Sequence, residues 1–319
     1  MNRSKNVGLV LGSGSSRGWA HIGVIQALEE SKIPIHCMAG VSIGAFVAAI
    51  HSTGNLKSLQ EFVLQLNKKM ILSYFDLVFP RTGLLDGKKV HDLFSMHTKA
   101  QTFDDFGIPV KIVATELYAG QEVVMDSGNI IEAVRASLAI PGILTPVRQG
   151  DKLLVDGGLV NPVPVDVARS MGADVVIAVN LNTGLTTRHR KKPKEMKWLE
   201  ESLFTLQKNS TEGRRRNELI AKLTDHLANT EASVRRKIKE WLNSDRSTPN
   251  IIDIIGLSIS IAEERIAKMN LEVDPPDVLI EPRLGDLKFL DFDQAERSIR
   301  EGYARTREKI DDIRAALRR

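Results

Sequence analysis

Residues 36–51 read His36-Cys37-Met38-Ala39-Gly40-Val41-Ser42-Ile43-Gly44-Ala45-Phe46-Val47-Ala48-Ala49-Ile50-His51. In this stretch an apolar run passes into a small-residue segment at a single serine. The run ending at Val41 has the length of a buried strand, and Ile43 to His51, rich in Ala and Val, suits a helix packed closely on a sheet. Gly40-Val41-Ser42-Ile43-Gly44 fits the G-x-S-x-G nucleophile elbow, whose glycines allow a strained strand-to-helix turn to lift the serine hydroxyl into a cleft. The amino end of the following helix favours negative charge developing at Ser42. The five letters alone are a common Gly/Ser turn; the strand before and the helix after them give them meaning.

The same order of strand, turn and helix precedes the elbow. Val7 to Leu11 form an apolar run closed by Gly12-Ser13-Gly14-Ser15-Ser16-Arg17-Gly18, and Ile22, Ile25 and Leu28 recur at helical spacing over residues 17–30. Further strands are predicted at Val110 to Thr115, Glu122 to Met125, Leu153 to Val155 and Val175 to Val179, with helices at Asn129 to Ala139 and Val163 to Met171. A strand-like run from Asp277 to Ile280 and a charged helix from Asp293 to about Leu317 close the chain. Alternating strands and helices imply an α/β fold with a mostly parallel sheet covered on both faces.

The 319 residues, 42% of them hydrophobic, supply one large core. One cysteine, Cys37, excludes an internal disulfide and fits a reducing, cytoplasmic setting. The polar start, Met1 to Asn6, precedes only about five apolar residues, too few for a signal-peptide core. The longest apolar run, Ile251 to Ile261, is broken by Asp253, Gly256 and two serines, and falls short of the roughly 20 residues that span a bilayer. A soluble or peripheral protein is expected. The net charge of +4 is unevenly placed, because residues 185–250 hold 16 Lys/Arg against 9 Asp/Glu while the remainder holds 28 against 31. That basic segment carries amphipathic patterns at Met196, Leu199, Leu203 and Leu206 and at Leu219, Leu223 and Leu227, and reads as a helical insertion or cap. The chain is therefore divided into a catalytic core over 1–184, the insertion over 185–250, and a C-terminal part of the same domain over 251–319.

A nucleophilic serine needs a base, and no histidine stands in a suitable order: His91 and His97 fall before any plausible acid, and His189 and His226 lie in the charged insertion. Asp156 ends the apolar run Leu153-Leu154-Val155 and is followed by Gly157-Gly158, a turn that permits close backbone approach, so its carboxylate can face Ser42 across strand ends. The loop from Gly12 to Gly18, at a helix amino end, presents backbone amides that can hold an oxyanion. Similar letters bind nucleotides, but a Walker loop would need Gly-Lys-Ser/Thr, and Arg17 takes the place of the third glycine of a dinucleotide fingerprint. His21 reads as a packing or hydrogen-bonding residue. No His/Cys/Asp grouping has metal-ligand spacing, so neither metal nor other cofactor is expected.

Four ordered motifs resemble the bacterial branch of the patatin-like phospholipase family, related to the catalytic domain of neuropathy target esterase. They are Gly12 to Gly18 with Trp19-Ala20-His21-Ile22-Gly23-Val24; Gly40 to Gly44; Ala136-Ser137-Leu138-Ala139-Ile140-Pro141-Gly142; and Val155-Asp156-Gly157-Gly158 with Asn161-Pro162-Val163-Pro164. The resemblance implies a patatin-like three-layer α/β/α fold with a mostly parallel central sheet and a helical insertion. It also implies a Ser42-Asp156 dyad without histidine, oxyanion donors at Ser13, Gly14 and Ser15, and a loop braced by Gly12, Arg17 and Gly18. Many relatives have glycine where this chain has Ser13 and Ser15, and a positive φ there would cost roughly 1 kcal/mol. The implied activity is hydrolysis of phospholipid or lysophospholipid acyl esters through an acyl-enzyme. A soluble carboxylesterase, thioesterase or acyltransferase would use the same dyad, and a nucleotide-binding regulatory module is the alternative outside enzymes. The basic insertion is expected to meet an anionic membrane on its inner face, or to form a homo-oligomer contact through Leu199, Leu203 and Leu206; nucleic acid is not an expected partner.

Overall fold

The computed structural model describes residues 5–73, 83–85, 88–184 and 251–319. The segment expected to be a helical insertion, residues 185–250, with its leucine patterns and two histidines, lies outside the described residues. The chain divides into two compact units, one of residues 1–189 with 255–319 and one of residues 190–254. Apart from residues 251–254, every described residue belongs to the first unit.

Ten strands and nine α-helices are found among the described residues. The strands are β1 (Val7–Leu11), β2 (Cys37–Val41), β3 (Gly83–Leu85), β4 (Val110–Glu116), β5 (Gln121–Met125), β6 (Gly142–Leu144), β7 (Val147–Gln149), β8 (Lys152–Asp156), β9 (Val175–Val179) and β10 (Val278–Ile280). The helices are α1 (Ala20–Glu30), α2 (Ile43–Ser52), α3 (Leu56–Leu64), α4 (Lys68–Ser73), α5 (Lys88–His97), α6 (Ile130–Ser137), α7 (Val165–Ser170), α8 (Ile251–Val273) and α9 (Ala295–Arg318). None of these helices is long and apolar enough to cross a membrane.

The main sheet runs β10-β9-β1-β2-β4-β8-β7, with β5 also paired to β4. The five strands from β10 to β4 are parallel, as the alternation of strands and helices implies, whereas β5, β7 and β8 add antiparallel pairings. Along β1 successive side chains point to opposite faces. Val7, Leu9 and Leu11 join the larger core with residues of α1, α2 and α9, while Val10 joins Val165, Val167 and Ala168 of α7 and Ala267 of α8. Helices thus cover both faces, giving the three-layer α/β/α arrangement that the sequence implies.

One pairing positions Ser42 and Asp156. β4 accepts β2 along its first half, where Val41 stands opposite Val113, and β8 along its second half, where Asp156 stands opposite Ala114. β5 overlaps both stretches, from Ile112 to Glu116, and so takes the other edge. β2 and β8 therefore share one edge of β4, run toward each other and meet tip to tip. Gly157 sits at that meeting point, where a Cβ would collide with the Val113 carbonyl and press on Val41.

The C-terminal helix α9 closes the larger core by crossing α1 at two glycines. A Cβ on Gly23 would collide with the Ile299 carbonyl, and one on Gly302 with the Ala20 carbonyl, so backbone packs on backbone. Alanine is the better helix former by up to about 1 kcal/mol, yet added atoms at a closed contact typically cost about 1–3 kcal/mol. Gly302→Ala is therefore expected to lower unfolding free energy by about 1–3 kcal/mol in chemical denaturation. An unchanged or stabilised variant would contradict the close crossing.

Candidate active site

At the tip of β2 the chain turns through Ser42 into α2. Ser42 has φ 56° and ψ −126°, a conformation sparsely populated by residues with a side chain. The flanking glycines make the turn possible, since a Cβ on Gly40 would meet the backbone of Ala45 at 2.7 Å and one on Gly44 would collide with the Leu11 carbonyl. From the tip of β8, Asp156 receives the Ser42 hydroxyl: Oγ donates to Oδ2 at 2.6 Å, and the Gly158 amide donates to Oδ1 at 2.8 Å. Serine and aspartate are 3% and 2% exposed.

The two tips are held by a segment whose role the sequence does not disclose. Ser137, the last residue of α6, accepts the Ser42 amide at 2.7 Å and donates its hydroxyl to the Val113 carbonyl at 2.6 Å. Two residues on, the Ala139 carbonyl accepts the Asp156 amide at 2.9 Å. Thr115 adds a bond from Oγ1 to the Asp156 carbonyl at 2.8 Å. The Ser137-Leu138-Ala139 stretch thus ties the Ser42 turn, β4 and Asp156 together.

Burial pushes the Asp156 carboxyl up to about 7, although its bonds from Ser42 and Gly158 pull the other way. The folded protein thus holds the Asp156 proton more tightly than the unfolded chain. The associated stability is present below the ordinary carboxylate range and is lost as pH rises through about 7, so the ionised acid is a cost borne by the rest of the fold.

The loop after β1 lies beside the serine and departs in part from expectation. Ser13 is not a free donor: its amide is taken by the Pro162 carbonyl at 2.9 Å, and its hydroxyl accepts from Asn182 Nδ2 at 2.9 Å. The amides of Gly14 and Ser15 have no hydrogen-bond partner among the described residues. Ser15 has φ 50°, the strained geometry that glycine would relieve, and its hydroxyl donates to the Phe289 carbonyl at 2.6 Å. Ser16 repeats the tie through Oγ to the Lys288 carbonyl at 2.7 Å. Arg17 is fully internal and braces the loop, with Nε donating to the Gly14 carbonyl at 3.0 Å and Nη2 to Asn182 Oδ1 at 3.1 Å and to Ser260 Oγ at 3.3 Å. Gly12 and Gly18 are required by close contact, to the Val179 and Pro162 carbonyls and to the Ile43 side chain.

His21 is buried, with Nε2 2.8 Å from the Gly12 carbonyl. A carbonyl only accepts, so Nε2 carries the proton; burial lowers the imidazole to about 4 and keeps it neutral. No histidine among the described residues bonds to Ser42 or Asp156. Glu263 of α8, 5% exposed, is not singled out by the sequence. It lies against Gly158 and Asp156, beside Ser13 and Asn182.

A cavity of about 190 Å³ opens onto Ser42. Ser15, Trp19, Phe46, Phe62, Leu93, Leu138, Ile140, Ile143, Phe289 and Phe292 are among the residues of its lining, and Lys89 is the one charged residue in it among the described residues. Such a wall accommodates a hydrocarbon chain and offers little to a polar one.

Fold, paired tips and cavity together define a class, and the sequence comparisons agree with it. Residues 9–169 match the patatin-like phospholipase family, and the chain belongs to that family. An uncharacterized NTE family protein of Mycobacterium tuberculosis is 39% identical over 179 residues, 56% of this chain and 50% of that protein. The neuropathy target esterase sws of Drosophila melanogaster is 34% identical over 188 residues, 56% of this chain and 13% of that protein. Human patatin-like phospholipase domain-containing protein 6 is 33% identical over 187 residues, again covering 13% of the longer protein. The chain thus spans half the length of the mycobacterial relative and a small part of the animal ones. The structure of VipD from Legionella pneumophila aligns with 97% of this chain and 67% of its own, at 12% identity and a TM-score of 0.46.

Ser137→Ala would leave the Ser42 amide and one lone pair of the Val113 carbonyl without their buried partner, at a cost of about 1–3 kcal/mol. The variant is expected to unfold at lower denaturant by that amount. Its turnover on an acyl ester should fall about 10- to 100-fold with KM little changed, because the hydroxyl holds the elbow and not the substrate. Wild-type turnover in a less stable protein would show that the Ser137 bond does not set the serine's position.

Proposed function

We propose that the protein is a serine esterase of patatin type that hydrolyses acyl esters of phospholipids or lysophospholipids, with Ser42 as nucleophile and Asp156 as its base. The observation that carries this reading is the 2.6 Å bond from Ser42 Oγ to the buried Asp156 carboxylate at the opening of an apolar cavity. Family membership and relatives named as esterases and phospholipase domain-containing proteins support the reaction class.

In this mechanism the acyl chain lies in the cavity, with the ester carbonyl over Ser42. Asp156 takes the hydroxyl proton as Oγ bonds to the carbonyl carbon, and the electron pair of the C=O bond moves onto oxygen. The Gly14 and Ser15 amides stabilise that oxyanion, helped by the amino end of α2. The carbonyl re-forms, the C–O bond to the leaving alcohol breaks, and protonated Asp156 gives its proton to that alcohol. Water then repeats the sequence on the acyl-enzyme with Asp156 again as base, releasing fatty acid and free Ser42. An aspartate of ordinary basicity would be a weak partner for a serine hydroxyl; burial raises its proton affinity toward working pH.

The expected outcome is that a fluorophosphonate labels Ser42 and that Ser42→Ala abolishes both labelling and hydrolysis while the fold survives. The wild-type rate should fall about tenfold per pH unit below about pH 7, as Asp156 protonates. A chain-length series run beside phospholipid and lysophospholipid substrates separates a lipid hydrolase from a short-chain esterase or thioesterase. Labelling that persists in Ser42→Ala, or a flat rate from pH 5 to 8, would overturn the reading.

The basic segment 185–250, with a net charge of +7 against −3 for the remainder, is proposed to dock this esterase on anionic membrane surfaces. Vesicle cosedimentation should show binding to anionic and not to neutral lipid, weakening as salt rises. Replacing Arg214, Arg215, Arg216, Arg235 and Arg236 with glutamine should remove most of it, at about 1 kcal/mol for each charge near the surface. Equal binding to both vesicle types would mean that the charge is a solvated face or a subunit contact.

A further inference from the structure

Glu263 stands on the core-facing stripe of α8, in line with buried Ser260 and Ala267. A carboxylate buried there without a cation would be costly, and among the described residues no Lys, Arg or His comes within ion-pair distance of it. Its surroundings are specific. From the loop after β1 come the Ser13 hydroxyl and the Arg17 guanidinium, from the strand after β9 comes Asn182, and from β8 comes Asp156; on its own helix Glu264 also feels Arg17. Ser13 Oγ accepts from Asn182 Nδ2, and both side chains lie close enough to Glu263 to favour its ionised form. A Cβ on Gly158 would collide with Glu263 Oε1 and lie 3.1 Å from Asp156 Oδ1, so the two carboxyls flank one Cα.

This compartment holds one guanidinium and two carboxyls away from water. With one carboxyl ionised it is neutral; with both ionised it carries an uncompensated negative charge beside the oxyanion loop. Like charges this close do not ionise together, and the second proton leaves only at higher pH. Asp156 is the member bonded by Ser42 and by the Gly158 amide, both of which favour its ionised form.

We propose that Glu263 is a titrating switch buried behind the esterase site, remaining protonated while Asp156 is ionised and works as the base, and that its own ionisation switches the site off at alkaline pH. This rests on the roles proposed for Ser42 and Asp156. The negative charge gained by Glu263 stands behind Ser13, next to the amides that must hold the oxyanion, and opposes the charge that develops there. Burial and the Asp156 charge both push the Glu263 carboxyl upward, while Arg17, Ser13 and Asn182 only partly offset them.

The test is the pH profile of kcat/KM on a 4-nitrophenyl acyl ester, together with the rate of fluorophosphonate labelling of Ser42 at each pH, for wild type, Glu263→Gln and Glu263→Met. Wild type should show an alkaline limb falling about tenfold per pH unit beyond its midpoint. Both neutral variants should keep the acid limb and hold the plateau, so that two units beyond that midpoint Glu263→Gln is about a hundredfold faster than wild type. Ser42-dependent labelling with superimposed alkaline limbs, or a uniform loss in both variants with the limb retained, overturns the inference alone. Wild-type protein that is not labelled at Ser42 overturns the proposed function and this inference with it.

Discussion

Two strands that compete for one edge of a third organise this molecule. β4 gives its first half to β2 and its second half to β8, and because these run in opposite directions their ends meet where Val113 gives way to Ala114. A strand end inside a sheet normally leaves backbone groups without ladder partners, and buried groups of that kind must find others. Here they are supplied by Ser137, Ala139 and Thr115, with Gly157 leaving the room required. The serine and the aspartate meet because each is the first residue past, or the last residue of, a strand that has run out of partner. A purely parallel sheet would place the aspartate at the same end of the next strand, a full strand spacing of about 4.8 Å to the side.

The loop after β1 is anchored by residues far along the chain, Lys288 and Phe289. Ser15 keeps a left-handed backbone at φ 50°, strained because it carries a Cβ, and its hydroxyl anchors that conformation to the Phe289 carbonyl. The Lys288 and Phe289 carbonyls therefore do for the loop what a second glycine would do by conformational freedom. The same short segment supplies Phe289 and Phe292 to the cavity wall. Residues 288–292 are consequently part of the loop's anchor and of the cavity wall.

Legibility from sequence follows the strength of local signals. The uniform apolar runs of β1, β2, β4 and β9 and the small-residue helix α2 are readable because nothing solvated interrupts them, and their ends fall within a residue or two of those expected. The antiparallel arm goes beyond the strands expected, although a signal is present: Gly150-Asp151 forms a two-residue hairpin between β7 and β8, with Gly150 at φ 59°, as such turns favour. α3, α5 and α8 escape a periodicity reading because their polar faces hide an apolar stripe, and α8 begins with an apolar run that first raises the question of a membrane span. Asp156 is legible through Gly157-Gly158. Glu263 is not, since Ala262-Glu263-Glu264-Arg265 reads as a solvated face until the helix is seen with Glu263 turned inward.

That inward glutamate also explains an otherwise costly arginine. Arg17 is buried, its guanidinium is lowered to about 10 by desolvation, and its Nη1 has no hydrogen-bond partner, so loop bracing alone is a weak reason to bury a charge. A neutral residue could reach the Gly14 carbonyl as well. A cation does what a neutral group cannot: it lets one carboxyl in the compartment ionise without leaving net charge inside. With Arg17 removed, an ionised Glu263 would be an uncompensated buried charge, and its carboxyl would hold its proton to higher pH. With a second arginine, both carboxyls would ionise. One buried cation against two buried carboxyls lets one of them ionise and leaves the other to keep its proton.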